Sequence, residues 1–404
     1  MRSRWHLRTF VVGVASAALV SLLATAGSAF SKQTGWRVVD LGTLGGEVAY
    51  ASSAVAINAH GDVIGNSWNN PSASSSLSRA FLWRSGRLIP LGTLGGASSQ
   101  ANGINDRGQI VGWAETRSGK IHPFLWEDGH MRDLGVPPGS DNGEAVAITN
   151  NGLVAGEASK KLPGVAWTPR PGHVVVWQNG RIRDLGVPWN PSRDAATTIE
   201  ALNQRGEIVV TTADESVSAN GRVSTERSFL WDGHSLRLLL PRNARSEAID
   251  INESGQVIGW TYRGEFRAVS WEHGQPRLLP LPPGRKGAFT RAVNDKGEGV
   301  GFGWADREVD NRAILWRRGT VVDLGTLGGT QSEAMAINSR SQIVGISETA
   351  SSTNENPIWD AFLWQGGRMV DLGAGYPVAI NDRGQIIGST TDSIPSHALV
   401  WLPT

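Results

Sequence analysis

One ten-residue phrase recurs eight times along the chain, and this repeat limits the fold more than any other feature. The first copy is AINAHGDVIG at residues 56–65 and the last is AINDRGQIIG at residues 379–388, with 42 to 54 residues between the starts of successive copies. Each copy is followed by a short apolar segment that ends in tryptophan: Trp83, Trp126, Trp177, Trp231, Trp271, Trp316, Trp364 and Trp401. A period of this length indicates stacked units that each contact only their neighbours.

Every repeat contains four short apolar runs, and Gly, Asn or Asp separates each run from the next. We name the runs AIN, IVG, FLW and DLG after their commonest letters. Short apolar runs between turn-forming residues are typical of strands, and four strands per repeat are typical of propeller blades. The sequence therefore predicts an all-β fold, an eight-bladed β-propeller of four-stranded blades.

The two ends of the chain predict how the ring closes. The first repeat is preceded by WRVVDLG, a DLG run without an FLW run before it, and the last repeat stops at HALVWLPT, an FLW run without a DLG run after it. Pairing these N-terminal and C-terminal segments would complete the eighth blade by strand exchange. The boundary between blades falls either after the DLG run or after the IVG run, and the small alanines of the AIN run favour the first because the inner edge of a blade is crowded.

A glycine-rich phrase, GTLGG, stands at residues 42–46, 92–96 and 325–329. It lacks the Lys-Ser or Lys-Thr pair and the following helix of a phosphate-binding loop. Glycine permits positive φ where the chain leaves a strand, and a nearby aspartate can accept hydrogen bonds from such a turn. The aspartates at this place are Asp40, Asp133, Asp184, Asp323 and Asp371. We interpret GTLGG as a connection between blades.

The combination of DAFLW, VVDLGTLGG and AINDRGQIIG resembles the repeat of the HAF family of probable extracellular repeat proteins, and the resemblance extends from Trp36 to Trp401. The histidine of the family's His-Ala-Phe tripeptide occurs only at His122, His173 and His397. The other repeats carry Arg79, Arg227, Arg267, Arg312 or Asp360 there. The resemblance implies a secreted repeat protein and supplies no catalytic residues.

Residues 1–29 differ in kind from the repeats. They begin with the basic MRSRWHLR, continue with a long apolar run and end in small residues, which is the pattern of a secretory signal peptide. We therefore expect residues 30–404 to form a single propeller domain, secreted from a bacterium into the extracellular space or periplasm and not bound to a membrane. The alternative is an uncleaved membrane anchor, but the apolar core is short for a span of about 20 residues.

Composition excludes several classes of function. The chain has 38 Lys and Arg and 37 Asp and Glu, and three arginines lie in the signal segment, so the remainder is slightly acidic and nucleic acid is a poor partner. The absence of cysteine excludes disulfides and thiolate metal sites. We predict no cofactor and no metal, and we expect a monomer.

No catalytic constellation is evident from spacing. The histidines of the FLW runs belong to separate blades, so they cannot meet, and we predict that they form hydrogen bonds inside their own blades. A Ser, His and Asp triad cannot be argued, and the G-x-S-x-G motif is missing. The sequence therefore favours a binding protein over an enzyme.

Alternating strand direction places the IVG-to-FLW loops on one side of the ring, which we call the long-loop face. Its longest segments are residues 66–78, 157–172, 211–226 and 346–359.

Tryptophans outside the FLW runs are candidate ligand-binding residues: Trp68, Trp113, Trp189, Trp260, Trp304 and Trp359. Aromatic rings stack on sugars with little loss of conformational freedom. We expect a secreted, non-enzymatic propeller that binds a glycan or a cell-envelope protein through this face; an extracellular polysaccharide hydrolase with loop carboxylates as acid and base is the alternative.

Overall fold

The fold is an eight-bladed β-propeller with one four-stranded antiparallel sheet per blade. It is seen in a computed structural model, which describes residues 35–69, 77–159, 172–187, 196–218, 221–241, 244–305, 310–352, 357–390 and 395–404. The predicted fold class is confirmed, and so is the boundary after the DLG run, because each sheet runs in the order AIN, IVG, FLW, DLG from its inner to its outer edge.

Strands are numbered β1 to β32 along the chain, and blade 1 consists of β2 to β5. The inner strands, formed by the AIN runs, are β2 (Ala51–Ile57), β6 (Gly95–Ile104), β10 (Asn142–Ile148), β14 (Ala196–Leu202), β18 (Arg245–Ile251), β22 (Gly287–Val293), β26 (Gly328–Ile337) and β30 (Tyr376–Ile380). The second strands are β3 (Val63–Trp68), β7 (Ile110–Thr116), β11 (Val154–Ser159), β15 (Ile208–Ser218), β19 (Val257–Tyr262), β23 (Gly299–Trp304), β27 (Ile343–Thr349) and β31 (Ile386–Ser389).

The third strands contain the FLW runs, and the outer strands contain or precede the DLG runs. The third strands are β4 (Ser78–Arg84), β8 (Ile121–Glu127), β12 (His173–Gln178), β16 (Gly221–Trp231), β20 (Phe266–Glu272), β24 (Arg312–Arg317), β28 (Trp359–Gln365) and β32 (Ala398–Pro403). The outer strands are β5 (Arg87–Pro90), β9 (His130–Asp133), β13 (Arg181–Gly186), β17 (Leu236–Leu238), β21 (Gln275–Leu278), β25 (Thr320–Asp323), β29 (Arg368–Ala374) and β1 (Trp36–Gly42).

Blade 8 is built from both ends of the chain, as the sequence predicts. Strand β1 pairs antiparallel with β32, with Trp36 opposite Pro403 and Asp40 opposite Leu399. The inner strands contact one another around the whole ring, including β30 of blade 8 with β2 of blade 1. Closure in this way leaves no exposed sheet edge at the junction of the termini.

The hydrophobic core is divided into eight clusters, one at each seam between neighbouring blades. The cluster between blades 1 and 2, for example, joins Ile64 and Leu82 to Phe124 and Trp126. Seven of the FLW tryptophans are buried and Trp83 is partly buried, so the prediction that this repeated tryptophan is a core residue is confirmed for seven blades.

The asparagine of the AIN phrase holds neighbouring blades together. Its side-chain oxygen accepts N–H bonds from its own turn, as in Asn58 with His60 and Asp62. Its Nδ2 also donates to the main-chain oxygen of the equivalent residue in the next blade, at 3.0–3.1 Å, in seven of the eight seams. We call this ring of bonds the asparagine belt; its last bond, from Asn381 to Asn58, crosses the junction between blades 8 and 1.

The GTLGG segments are connections between blades, as the sequence predicts. Gly92 and Gly95 have φ of 84° and 103°, and the Thr93 hydroxyl donates to the Gly96 oxygen at 3.0 Å. Leu94, between them, packs on the core cluster of blades 1 and 2. On the long-loop face, residues 211–226 are largely a hairpin, in which β15 and β16 pair as far as Ser218 and Gly221.

Within the described residues, no helix has the length and apolar character needed to cross a membrane. The predicted signal peptide, residues 1–29, lies outside the described residues.

Candidate functional site

The inner strands border the centre of the ring, and their partly exposed side chains face it. These side chains stand five, three and two residues before the belt position in every blade. On blades 1, 2 and 8 they are uncharged, as in Ser53, Gln100 and Tyr376. On blades 3, 4, 5 and 7 they include five carboxylates, which we call the acidic arc: Glu144, Glu200, Glu247, Asp250 and Glu333.

One cation, Arg291 of blade 6, shares these positions with the acidic arc. Its guanidinium lies 3.8 Å from the Glu333 carboxylate and 5.2 Å from the centroid of the Phe302 ring. Arg245, at the start of β18, is bound to Glu226 at 2.7 Å. The centre of the ring is therefore acidic on one side, and a cleft lined with charges of one sign attracts ligands of the opposite sign.

Glu144 and Glu157 lie opposite each other in the register of β10 and β11, so their side chains emerge on the same face of blade 3. Glu157 is 2% exposed, and its Oε1 accepts the N–H of Ile199 in blade 4 at 2.8 Å. Burial raises the pKa of Glu157 well above its usual value, and the charges of Glu144 and Glu200 raise it further.

Glu144 keeps part of its surface open toward the centre of the ring, while protein surrounds its other sides. This desolvation raises the pKa of Glu144 to about 7, and a hydrogen bond from Asn102 opposes the shift. Burial likewise raises the pKa of Asp250 to about 6, although its carboxylate accepts the N–H groups of Val293 and Ile251 at 2.8 and 2.9 Å. Part of the acidic arc therefore changes its charge near neutral pH.

An aromatic cluster adjoins the acidic arc at the seam between blades 5 and 6. It consists of Trp260, Tyr262, Phe266, Phe289, Phe302 and Trp304, and their ring centroids lie 4.8 to 6.3 Å apart. Trp260 and Trp304 are only 8% and 9% exposed, so they offer no free ring face for stacking on a ligand. Both residues, which we expected from the sequence to bind a ligand, therefore pack inside this cluster.

Three of the other candidate tryptophans stand in three different blades. Trp68, Trp113 and Trp359 are partly exposed, and they belong to blades 1, 2 and 7. Trp189 lies outside the described residues.

The histidines of the FLW runs bind inside their own blades, as predicted. His122 lies 2.8 Å from Asp133, and His397 lies 2.9 Å from Asp40, which joins the two ends of the chain. Each aspartate also accepts the N–H of the glycine two residues later, at 2.7 Å. These pairs fix the outer hairpins of the blades.

Sequence reasoning missed the acidic arc. Its carboxylates are spread from residue 144 to residue 333, and only the inner position of every AIN run brings them to one surface. Aligning the eight repeats by that position would have shown the excess of acids on blades 3, 4, 5 and 7. In the described residues, no group of three or more His, Asp or Glu side chains is arranged to hold a metal ion.

No protein-family model matches the chain, and no curated protein sequence matches it. Several solved structures share its fold. Dipeptidyl peptidase 4 from Porphyromonas gingivalis is similar with a TM-score of 0.55 and 8% identity, over 90% of this chain and 58% of that one. A puromycin-hydrolyzing peptidase from Mycobacterium tuberculosis is similar with a TM-score of 0.48 and 13% identity, over 85% and 58% of the two chains.

The β-propeller domain of the Trilobed protease from Pyrococcus furiosus is similar with a TM-score of 0.47 and 8% identity, over 80% of this chain and 98% of that one. The chain thus spans somewhat more than half the length of the two peptidases and nearly all of the propeller domain. At such identities the likeness establishes the fold alone.

These comparisons correct the expected function. The sequence led us to expect a non-enzymatic propeller that binds a glycan or protein partner through its long-loop face, with a polysaccharide hydrolase as the alternative. Of the structures described above, the one with a TM-score above 0.5 is a peptidase. The sequence-based expectation is therefore wrong, and two of the tryptophans that supported it are core residues.

Proposed function

We propose that the chain handles peptides, as a propeller of the peptidase type, and that its acidic arc binds the positively charged amino end of a peptide. The observation that supports the proposal most is the charge of the inner strands, where five carboxylates share the partly exposed positions with the single cation Arg291. An ammonium group is compact, carries three N–H donors and is well matched to several carboxylate acceptors.

The aromatic cluster supplies a second part of the site. Phe289 is partly exposed, stands at the same inner position as Glu247 of the neighbouring blade, and packs on Trp304 with a centroid distance of 5.0 Å. Tyr262 and Phe266 are also partly exposed at this seam. A peptide with its ammonium group on the acidic arc would find an apolar surface beside it for a side chain, and clefts that combine apolar walls with a few polar groups are typical ligand sites.

Calorimetric titration with a short peptide tests the proposal directly. We expect Gly-Phe-Gly amide with a free amino group to bind at least tenfold more tightly than the same peptide acetylated at its amino group. Glu144→Gln combined with Glu200→Gln should weaken binding of the free peptide, and Glu272→Gln, an exposed acid on an outer hairpin, should not. Equal affinity for the free and acetylated peptides would contradict the proposal. Mass spectrometry of the same mixtures reports whether the bound peptide is cut.

Binding should also depend on pH. Because the pKa of Glu144 is raised to about 7 and that of Asp250 to about 6, the acidic arc gains negative charge as the pH rises from 5 to 8. The affinity for the free peptide should rise between pH 5 and about 7, where its own ammonium group is still largely protonated. A flat pH profile would show that these two carboxyls do not contact the peptide.

We further propose that the chain is an exported member of the HAF family that acts outside the cytoplasm as a monomer. The supporting observations are the basic and apolar pattern of residues 1–29 and the eight repeats with their FLW and DLG phrases. Sequencing the amino terminus of protein recovered from the culture medium or periplasm tests export. An intact Met1 in the membrane fraction would contradict cleavage.

A further inference from the structure

A groove of about 670 Å³ opens between blades 3 and 4 on the side of the ring opposite the long-loop face. Its floor is apolar and consists of Leu153, Val176 and Trp231. Three arginines border it: Arg181 and Arg183 from the outer strand β13, and Arg205 from the turn that follows β14. The volume falls in the range of about 300–1,000 Å³ typical of sites for small molecules.

Blade 3 departs from the repeat at Leu153, where every other blade carries Asp, Glu or Gln, whereas Arg183 has counterparts of the same type in blades 2, 4 and 5. Ile89 stands in blade 1 where Arg183 stands in blade 3. Its side chain packs on the cluster that contains Trp126 and so fills the space between blades 1 and 2 that corresponds to the groove. In blade 3 the Arg183 guanidinium lies 4.9 Å from the centroid of the Trp231 ring instead. The position of Leu153 is Gln109 in blade 2, where the amide oxygen accepts a hydrogen bond from Asn105 at 2.7 Å.

The charge of the groove is only partly neutralised. Arg205 is bound to Glu207 at 2.5 Å. No carboxylate is bound to the exposed Arg181 and Arg183 side chains among the residues that the structure describes. Asp184, the nearest acid along the strand, is bound to His173 at 2.8 Å. A guanidinium stacked on an aromatic ring keeps its N–H edge available for a planar anion.

We propose that this groove binds a small organic anion, with a carboxylate or phosphate on Arg181 and Arg183 and an apolar or aromatic body beside the partly exposed Leu153. A guanidinium binds a carboxylate and a phosphate through the same two parallel N–H bonds, so either group can be the anion. The site is separate from the acidic arc. Its Arg181 and Arg183 belong to the outer strand β13, whereas the acidic arc lies on the inner strands and has the opposite charge, so the inference can be tested independently of the proposed function.

Calorimetric titration of the purified protein with phenyl phosphate tests the inference, with phenylacetate as the carboxylate source. We expect saturable binding of at least one of these anions, tighter than that of inorganic phosphate or phenol alone. The double variant Arg181→Ala with Arg183→Ala should weaken it at least tenfold. Arg87→Ala is the matched control, because Arg87 occupies the position of Arg181 in blade 1, where Ile89 fills the groove; it should leave the affinity unchanged.

A second variant distinguishes a loss of binding from a loss of folding in the first variant. Arg181 is exposed and its replacement by glutamate, Arg181→Glu, reverses a charge at the rim without removing a packed side chain. It should weaken binding tenfold or more while the circular dichroism spectrum stays unchanged. Unchanged affinity in both variants, or binding of both phenyl phosphate and phenylacetate no tighter than that of inorganic phosphate and phenol, would overturn the inference.

Discussion

The seams between blades 1 and 2 and between blades 3 and 4 have the same strand topology but different chemistry. At the first seam, the Asn66 amide accepts the N–H of Ala101 at 2.8 Å and donates to the oxygen of the same residue at 3.3 Å. At the second seam, Glu157 occupies the position of Asn66, and its carboxyl accepts the N–H of Ile199, the counterpart of Ala101. An ionised carboxylate has no donor to offer the oxygen beside it, whereas a protonated carboxyl has an O–H donor as well as an acceptor oxygen, and the amide likewise combines N–H donors with an acceptor oxygen.

The asparagine belt shows the same contrast. Asn105 of blade 2 donates to the Thr149 oxygen at 3.0 Å, but Thr149 has no amide and the belt bond toward Asn203 is missing. The hydroxyl of Thr149 replaces only the local part, accepting the N–H of Leu153 at 3.0 Å. Across this seam, the N–H of Asn150 still donates to Gln204 at 2.6 Å. Polar bonds therefore cross both of these seams, but the belt bond is missing from the seam of blades 3 and 4, where the groove opens.

Replacing the equivalent core tryptophans of the two seams should give the largest effects. Trp126→Ala should lower the free energy of unfolding by about 3–5 kcal/mol, the usual cost of removing a packed aromatic side chain. Trp231→Ala should cost about 1 kcal/mol less, because its ring borders a groove that water can enter after the replacement, so a smaller empty cavity remains. Denaturant midpoints measure both losses.

Trp316→Ala is the matched control for an ordinary seam, since Trp316 is 3% exposed and its Nε1 donates to the Pro280 oxygen at 2.7 Å. Its loss should resemble that of Trp126→Ala. Equal losses at all three positions would mean that the groove does not change the packing of Trp231.

Exchanging amide and carboxyl between the two seams should give smaller effects of opposite sign. Asn66→Asp places an acid beside the Ala101 oxygen and should destabilise the protein by about 1–3 kcal/mol at pH 8. Glu157→Gln restores an amide and should stabilise it by about 1 kcal/mol at pH 8, the net value of an added hydrogen bond.

The pH dependence gives a further check. The pKa of Glu157 is raised in the folded protein, so folding favours the protonated carboxyl and stability falls as the pH rises above the ordinary glutamate pKa. The gain from Glu157→Gln should therefore be small at pH 5 and largest at pH 8. Thermal unfolding at the two pH values measures it. A gain that is larger at pH 5 would contradict this account of the seam.

The repeat allowed the fold to be predicted almost completely, but it concealed the site. Spacing and turn length fixed the number of blades, the strand order and the closure of β1 on β32, because each of these follows from local sequence repeated eight times. The acidic arc depends on single departures from the repeat, such as Glu200 where other blades have Val55 or Met335. The burial of Trp260 could not be predicted either, since it depends on Phe266 and Phe289 from different strands meeting at one seam.

The smallest expected effect comes from rebuilding the missing belt bond at the seam of blades 3 and 4. Thr149→Asn with Leu153→Gln restores the pair that Asn105 and Gln109 form in blade 2, and it should stabilise the protein by about 0.5–1.5 kcal/mol, the net value of an added hydrogen bond. Denaturant midpoints measure the change. The reverse exchange in blade 2, Asn105→Thr with Gln109→Leu, is the matched control and should destabilise the protein, because it leaves the buried Thr149 oxygen without its donor. If the first pair gives no gain while the second gives a clear loss, the seam of blades 3 and 4 is held in a geometry that an asparagine cannot bridge, and the groove is then a fixed feature of the backbone and does not result from two side chains.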